Sequence, residues 1–330
     1  MTKPSAPPGE FDLISRYFAP LTRSLSGAAN LTDDTASLSV SAGHEAVMTM
    51  DTMVAGVHFL PDDPPDLVAR KLLRVNLSDL ASSGARPVTY LLAMSLPEKT
   101  PESWVAEFAR GLEQDQDIFG IALSGGDTTV TPGPVTLSLT AIGEAPAGRT
   151  IRRSTAQPGQ DIYVSGTIGD AALALHLIET TGVQKALADA PALMARYRLP
   201  EPRVQLGLKV SEFATAMVDI SDGLVADLGH ICEASNIGAE ISMTEVPFST
   251  DVRDMIAADE TLAERAITGG DDYELLFTAL PENAVAVQKI AVDLDLSLHR
   301  IGQTVAGTAP VVRSATGEEI VLARAGWRHF

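Results

Sequence analysis

The sequence is poor in cysteine and in long apolar runs. Cys232 is the only cysteine among 330 residues, which excludes an intramolecular disulfide and any zinc or iron–sulfur site made of several cysteines. No apolar run approaches the roughly 18 residues needed to span a bilayer. The opening segment, MTKPSAPPGE, has no apolar stretch like that of a secretory signal. We therefore expect a cytoplasmic protein with no membrane partner.

Positive charge is also scarce. The chain has 24 Lys and Arg residues against 43 Asp and Glu residues, for a formal net charge of -19. Such a surface repels nucleic acids and anionic membranes, so we expect neither as a partner. General surface acidity also keeps proteins soluble, so only acids in unusual positions point to a functional site.

The motifs of common phosphotransferases and hydrolases are absent as well. The sequence has no G-x-x-x-x-G-K-[ST] P-loop, no protein-kinase catalytic loop, no H-E-x-x-H and no G-x-S-x-G. Glycine-rich segments remain at Gly125-Gly126 and at Gly166 to Gly169. Backbone N–H groups in such segments can approach a phosphate.

The composition that remains is that of a two-domain globular protein. Hydrophobic residues make up 45% of the chain and charged residues 20%, which is typical of globular proteins. The length exceeds what one hydrophobic core usually serves. A segment rich in Pro and Gly at 145–160 places the boundary near its start, which gives domains 1–146 and 147–330.

Apolar spacing predicts strands and helices in both domains. In the first, it predicts a strand at 46–54, helices at 66–84 and 101–119, and the strands IALS and VTLSLTAIGE joined by the turn GGDTT. In the second, DIYVSGTIG and AMVDISDG each have the pattern of a strand and a glycine turn before a helix. Strands and helices do not alternate strictly, so the predicted fold class is α+β with mixed sheets.

Aspartates recur where strands end or the chain turns. They are Asp33, Asp34, Asp51, Asp127, Asp219, Asp222, Asp271 and Asp272, with Asp79 in a predicted helix. Each alone is typical of a turn or a helix cap. Together they favour a site for Mg²⁺, which binds a few carboxylates along with water and substrate phosphates. Divalent cations would also offset the repulsion between these carboxylates and a nucleotide.

Several longer segments resemble one known family. These segments are GEFDLISRYF, TDDTASL, TMDTMVAGVHFLPD, NLSDLASSGARP, IRRSTAQPGQDIYVSGTIGD, DISDGLVADLGHI, GGDDYELLF and AGWRHF. In this order they resemble the thiamine-monophosphate kinase family, which is similar to aminoimidazole ribonucleotide synthetase and selenophosphate synthetase. The resemblance implies a two-domain architecture like that of the synthetase. It also implies a homodimer whose N-terminal domains share a β-barrel, with a C-terminal α/β domain in each subunit.

The resemblance also implies the reaction and its sites. ATP would phosphorylate thiamine monophosphate to thiamine diphosphate by direct in-line transfer, with several Mg²⁺ ions. The implied metal ligands are Asp34, Thr49, Met50 (through its carbonyl), Asp51, Asp79, Asp127, Asp219 and Asp222. The implied ATP contacts are Gly126, Asp127, Arg153 and Ser221, and the implied substrate contacts are His58, Asp271 and Trp327. The acceptor phosphate is already anionic at neutral pH, so no catalytic base is expected.

Three positions depart from the family pattern, and two other functions stay open. Asn30-Leu31-Thr32 replace the usual G-x-G before Asp33, Asp271 replaces a usual Glu, and Met50 replaces a usual Thr. One alternative is another ATP-using enzyme of the same superfamily, such as a synthetase for aminoimidazole ribonucleotide. The other is a nucleotide-binding subunit without catalytic activity.

Overall fold

The computed structural model describes residues 9–23, 25–324 and 326. These residues divide into two compact units. Unit 1 lies within Met1–Leu80 and Arg86–Ala147, and unit 2 lies within Ala81–Ala85 and Gly148–Phe330. Both units combine helices with a β-sheet, which confirms the α+β class. Within the described part of the chain, no helix is both long and apolar enough to cross a membrane.

The first half begins with short helical turns and continues with long strands and helices. The short turns are α1 (Glu10–Leu13), a π-helical turn (Ile14–Phe18) and two 3-10 turns (Ala19–Thr22 and Ser26–Leu31). They are followed by β1 (His44–Val54), α2 (Pro65–Ser82), β2 (Arg86–Pro97), α3 (Glu102–Phe119), β3 (Ala122–Thr131) and β4 (Thr136–Pro146). The predicted strand at 46–54 and the two predicted helices are confirmed.

The unit 1 sheet has the strand order β1-β4-β2-β3. Strand β4 runs antiparallel to β1 and β2, and β3 runs parallel to β2. One face of the sheet is covered by α3. On this face Tyr90 on β2 is fully buried and accepts a hydrogen bond from Gln116 on α3. The opposite face exposes Met48 and Met50. Among the described residues, β1 and β3 each pair with one strand only, so the sheet is open and does not by itself close into a barrel.

The predicted turn at GGDTT is wrong, because β3 runs through it without interruption. Gly126 pairs with Leu92 on β2, next to a register shift between Tyr90 and Leu91. A Cβ atom on Gly126 would lie 1.9 Å from the carbonyl oxygen of Leu92. Gly126 therefore allows close contact between two strands, and it does not mark a change of chain direction.

The second half contains six strands and eight α-helices among the described residues. Its first elements are β5 (Asp161–Ser165), α4 (Asp170–Thr181), α5 (Val183–Asp189), α6 (Pro191–Arg198), α7 (Val204–Val210), β6 (Ala216–Asp219) and α8 (Leu224–Ser235). The remaining ones are β7 (Gly238–Ser242), α9 (Thr250–Ala258), α10 (Leu262–Thr268), β8 (Leu275–Ala279), α11 (Ala284–Leu294), β9 (Leu298–Val305) and β10 (Pro310–Arg313). The sheet order is β10-β7-β9-β5-β8-β6.

A continuous apolar core joins this sheet to α8. Ile162 and Val164 on β5 and Leu228 and Ile231 on α8 are among its fully buried members. Cys232 belongs to the same core and has no exposed surface. Burial raises the pKa of its thiol to about 11. The core fixes the start of α8, which follows directly on the loop after β6.

Candidate functional site

Three of the predicted metal ligands lie together in unit 1, between β1 and α2. The Thr49 hydroxyl donates to Asp79 Oδ2 across 2.5 Å. Asp51, two residues further along β1, faces the same helix because strand side chains alternate between faces. Its backbone N–H donates to Asn76 Oδ1 at 3.2 Å. We call Thr49, Asp51 and Asp79 the unit 1 cluster.

The electrostatics of the unit 1 cluster suit a bound cation. Burial, and secondly the charge of Asp79, raise the pKa of Asp51 to about 7. Two carboxylates that repel each other in a partly buried place are stabilised when a cation lies between them. The side-chain atoms of the cluster that could bind a metal are all oxygen atoms, which Mg²⁺ prefers over nitrogen or sulfur. The residues therefore fit a magnesium site.

Asp34 and Asp127 lie in a different part of unit 1. Both line a groove of about 640 Å³ over the open face of the sheet, together with Met50 and Leu91. Asp127 pairs in register with Ala93, which is exposed on that face. Within one chain, Asp127 thus faces away from α2, whereas the unit 1 cluster faces toward it. This separation could not be predicted from the sequence, because it depends on how the strands pair.

The predicted substrate residue His58 lies just beyond β1. Its Nδ1 atom accepts a hydrogen bond from the backbone N–H of Val54 at 3.1 Å. Lys71 Nζ on α2 donates to the His58 carbonyl at 3.1 Å. Because Nδ1 is the acceptor, a neutral His58 ring carries its proton on Nε2. The ring is thereby held in one tautomer as well as one orientation.

In unit 2, one carboxylate organises the loop between β6 and α8. The backbone N–H groups of Ser221, Asp222 and Gly223 all donate to Asp227 Oδ2, at 3.1, 3.0 and 3.2 Å. Asp219 precedes this loop at the end of β6 and is buried. Burial, and secondly the charge of Asp222, raise the pKa of Asp227 to about 7.

Two further polar side chains lie beside this loop. Ligand atoms of Asp222, Asp227 and His230 lie within 4.8 Å of one another. Arg153 lies near enough for its positive charge to oppose the rise in the pKa of Asp227, and its carbonyl accepts a hydrogen bond from Ser235 on α8. The structure thus brings together four residues, which we call the unit 2 cluster: Arg153, Ser221, Asp222 and Asp227.

The predicted substrate residue Asp271 lies against the same loop. Its backbone N–H donates to the Ser221 carbonyl at 2.9 Å, and the N–H of Tyr273 donates to the Ile220 carbonyl at 2.8 Å. Asp271 has a φ of 73° and Tyr273 a φ of 51°, in the left-handed region that few such residues adopt. A Cβ atom on Gly270 would lie 2.0 Å from the Ser221 carbonyl oxygen, so this position requires glycine.

The two other acids of GGDDYE are buried and structural. Asp272 accepts the Gly169 N–H, at 3.0 and 2.9 Å to its two oxygens. Glu274 accepts two hydrogen bonds of 2.6 Å from Arg203 and one of 2.7 Å from Arg196. These contacts hold the backbone on which Asp271 lies. The predicted residue Trp327 lies outside the described residues.

Comparison with known proteins covers both units. Residues 32–145 match the family described as AIR synthase related protein, N-terminal domain, and residues 157–314 match its C-terminal domain. A curated thiamine-monophosphate kinase of Caulobacter vibrioides is 42% identical over 328 residues, or 98% of this chain and 92% of that protein. The chain belongs to the thiamine-monophosphate kinase family.

Solved structures agree with this assignment. The thiamine-monophosphate kinase of Stenotrophomonas maltophilia K279a is 42% identical, with a TM-score of 0.83 over 92% of this chain and 98% of that one. AaThiL complexed with AMPPCP and TMP is 30% identical, with a TM-score of 0.75 over 98% of this chain and 97% of that one. The two-domain mixed α+β fold of the AIR synthase related proteins is thereby confirmed for this member of the thiamine-monophosphate kinase family.

Sequence reasoning missed two polar residues that shape the site in this family member. Asn76 is fully buried in α2, where its Nδ2 donates to the Leu72 carbonyl while its Oδ1 holds Asp51. The Asp227 side chain is likewise buried. A signal did exist for Asp227, because an acid in the first turn of a helix is placed to accept unpaired N–H groups there. Asn76 had none beyond its position three residues before Asp79.

Proposed function

We propose that this protein transfers the γ-phosphoryl group of ATP to thiamine monophosphate, giving ADP and thiamine diphosphate. The observation that carries the proposal is the 42% identity to a curated thiamine-monophosphate kinase along 98% of the chain. The AaThiL complex with AMPPCP and TMP supports ATP and thiamine monophosphate as the two reactants. An enzyme of thiamine biosynthesis of this kind would work in the cytoplasm.

The chemistry requires alignment and charge neutralisation more than proton transfer. A phosphate monoester has a second pKa of about 6, so the acceptor is already an anionic nucleophile at neutral pH. Mg²⁺, when bound, supplies positive charge that offsets the charge developing on the transferred phosphoryl group. The protein's own task is to hold two anionic reactants in line, which is why it needs no catalytic base.

The proposed metal ligands fall into three described groups. They are the unit 1 cluster with the Met50 carbonyl, then Asp34 with Asp127, and finally Asp219 with Asp222. The mutual repulsion of Asp51 and Asp79 supports the first group. For ATP we propose Arg153 as the positive charge at its phosphates, with Ser221, Gly126 and Asp127 as further contacts.

For thiamine monophosphate we propose contacts from His58, Asp271 and Trp327. His58 is suited to donate through Nε2, because Nδ1 already accepts the Val54 N–H. Asp271 is held rigidly by its bond to Ser221 and by the buried acids on either side of Tyr273. A short rigid carboxylate suits recognition of a cationic thiazolium ring.

We also propose a homodimer in which two unit 1 sheets share a barrel. Met48 is 68% exposed and Met50 is 62% exposed on the open face of the sheet, which also carries Ile142 on β4 and Leu91 on β2. A contiguous apolar face of this kind usually meets a partner. Strands β1 and β3 have unpaired edges among the described residues, and closure into a barrel removes such edges.

An assay of the purified protein tests the proposal. ATP, Mg²⁺ and thiamine monophosphate should yield thiamine diphosphate, and a chelator should abolish the product. No product under any metal condition rejects the proposal. Turnover of formylglycinamidine ribonucleotide instead would favour a synthetase of the same superfamily. Binding of Mg²⁺-ATP in calorimetry without transfer to any acceptor would favour a non-catalytic subunit.

A further inference from the structure

We infer that Asp227 is a positioning residue, one that fixes the loop carrying the nucleotide and metal contacts of unit 2. The inference rests on the proposed function, because that function gives Ser221, Asp222 and Arg153 their roles. Asp227 itself is not among the residues implied by family resemblance. It belongs to the structure of the loop, and its influence on catalysis passes through its neighbours.

The geometry around Asp227 is that of a fixed anchor. Three consecutive backbone N–H groups point at one oxygen atom only when the chain curls around it. The loop precedes the first turn of α8, where N–H groups have no partner within the helix. Asp227 lies in that first turn and is 1% exposed. One side chain therefore fixes both the loop conformation and the start of the helix.

The anchored loop connects several proposed contacts. Asp222 and Ser221 lie on it, and the Ser221 carbonyl accepts the Asp271 N–H. The Arg153 carbonyl accepts a hydrogen bond of 2.8 Å from Ser235 at the end of α8, and the charge of Arg153 acts on Asp227. Without the Asp227 carboxylate the loop would move, and Asp222 and Ser221 would be the first residues to be displaced. The Mg²⁺ and ATP contacts should suffer more than the contact with thiamine monophosphate, because Asp271 is also held by its buried neighbours Asp272 and Glu274.

Asp227 is less suited than its neighbours to bind a ligand directly. Its Oδ2 atom already accepts three hydrogen bonds, and almost none of the side chain reaches solvent. The charged or titratable groups around it are Asp222, His230 and Arg153. Asp222 is half-buried and His230 exposed, so both are more accessible than the anchor.

Three variants of the full-length protein test the inference. Asp227→Ala removes the acceptor, whereas Asp227→Asn keeps an oxygen acceptor of the same shape without the charge. The control is Asp161→Ala, which removes a buried carboxylate from β5 where it binds Arg300 at 2.6 Å, in the same unit. The first measurement is a Mg²⁺ titration of the Tm without substrates, and its midpoint is the Mg²⁺ concentration that gives half of the maximal rise in Tm. The second is a pair of separate KM values, one for ATP and one for thiamine monophosphate.

The expected pattern is selective. Asp227→Ala should raise the Mg²⁺ midpoint and the KM for ATP by about tenfold or more, as loss of a residue behind a metal ligand commonly does. The KM for thiamine monophosphate should stay within about threefold, and Asp227→Asn should remain within about threefold of wild type throughout. Asp161→Ala should lower thermal stability without moving the Mg²⁺ midpoint.

The result that overturns the inference is a wild-type Mg²⁺ midpoint in Asp227→Ala, or an equal effect of Asp161→Ala. Should Asp227→Ala fail to fold, Asp227→Glu decides, since it keeps the charge but moves the acceptor by one methylene group. An unchanged midpoint in Asp227→Glu overturns the inference, and a raised one supports it. Failure of the proposed function is distinguishable, because wild type would then make no thiamine diphosphate while the Mg²⁺ titration still reports on Asp227.

Discussion

Asp51 and Asp127 lie on the two edge strands of one sheet, with two strands between them and their side chains on opposite faces. Three strand spacings amount to about 14 Å. That distance is far too long for two carboxylates of the same chain to share an ion. In the proposed dimer, one copy's β1 and its partner's β3 are free to complete a common site.

This relationship predicts complementation between inactive variants. Asp51→Asn and Asp127→Asn should each lower kcat by at least about 100-fold, because each removes charge stabilisation of the transferred group. The purified mixed dimer should regain about half of wild-type activity, because one of its two sites is intact and the other carries both substitutions. Coexpression with different affinity tags and an assay of the doubly purified dimer check this.

The matched control for complementation pairs Asp51→Asn with Asp79→Asn. Both residues belong to the unit 1 cluster of the same chain, so every site in the mixed dimer keeps one substitution. Activity should not return. Recovery in this control, or none in the Asp51 and Asp127 mixture, would contradict a site shared between copies.

Gly126→Ala should destabilise unit 1 for a reason unrelated to ATP. The added methyl group would lie 1.9 Å from the Leu92 carbonyl oxygen, inside the β2–β3 ladder. We expect a loss of about 3 kcal/mol in the free energy of unfolding, as for overpacked interiors. Gly125→Ala is the control, since its Cβ would meet only the end of the Leu91 side chain at 3.1 Å. Urea unfolding that ranks the control as equally unstable would contradict this reading.

Glu274→Gln should be far more destabilising than Glu201→Gln. Glu274 has no exposed side-chain surface and receives both Arg196 and Arg203, whereas Glu201 is 60% exposed and pairs with the same two arginines at the rim. Breaking the buried contact leaves uncompensated guanidinium charge and should cost about 3 kcal/mol. The exposed pair should be worth under about 1 kcal/mol. Denaturant midpoints of the two variants test the contrast.

Glu144 predicts a pH dependence of stability in unit 1. The Arg86 guanidinium first, and then hydrogen bonds from Ser41, lower the pKa of Glu144 to about 2. Its unfolded value is 4.5, so the contact stabilises the folded state fully above that pH and is lost as pH falls toward 2. The Tm difference between wild type and Glu144→Gln should therefore be largest near neutral pH and shrink below pH 4.5. A difference that grew in acid would contradict the assignment.

The sequence predicted the long periodic elements and the broad location of the acids. Strand β1 and helices α2 and α3 have patterns that local propensity and packing both favour. Strand β2 was not foreseen, because its exposed and buried sides differ too little in polarity. The glycines of β3 have the composition of a turn, and only the neighbouring strand explains why a side chain has no room there.

The site was predictable in composition but not in arrangement. Acids beside Gly and Thr marked Asp51, Asp127 and Asp222. The proposed ligands of unit 1 lie on two faces of the sheet because of how the strands are ordered and paired. A single sequence does not reveal that pairing. Asn76 accepts the backbone N–H of Asp51, which is 25 residues away in the sequence, so it looks like an ordinary polar position in a helix. Asp227 accepts N–H groups only four to six residues before it, and its place in the first turn of α8 is the one signal that marks it.

The burial of Cys232 makes the wild-type chain a ready background for site-specific labelling. Its thiol is enclosed by the unit 2 core, and a thiol with a pKa about 11 forms little of the reactive thiolate at neutral pH. A cysteine introduced on the surface would thus be the one group that a maleimide dye or nitroxide reaches in the native protein. Conversely, reaction of unmodified protein with a thiol reagent would report how often the interior around α8 opens.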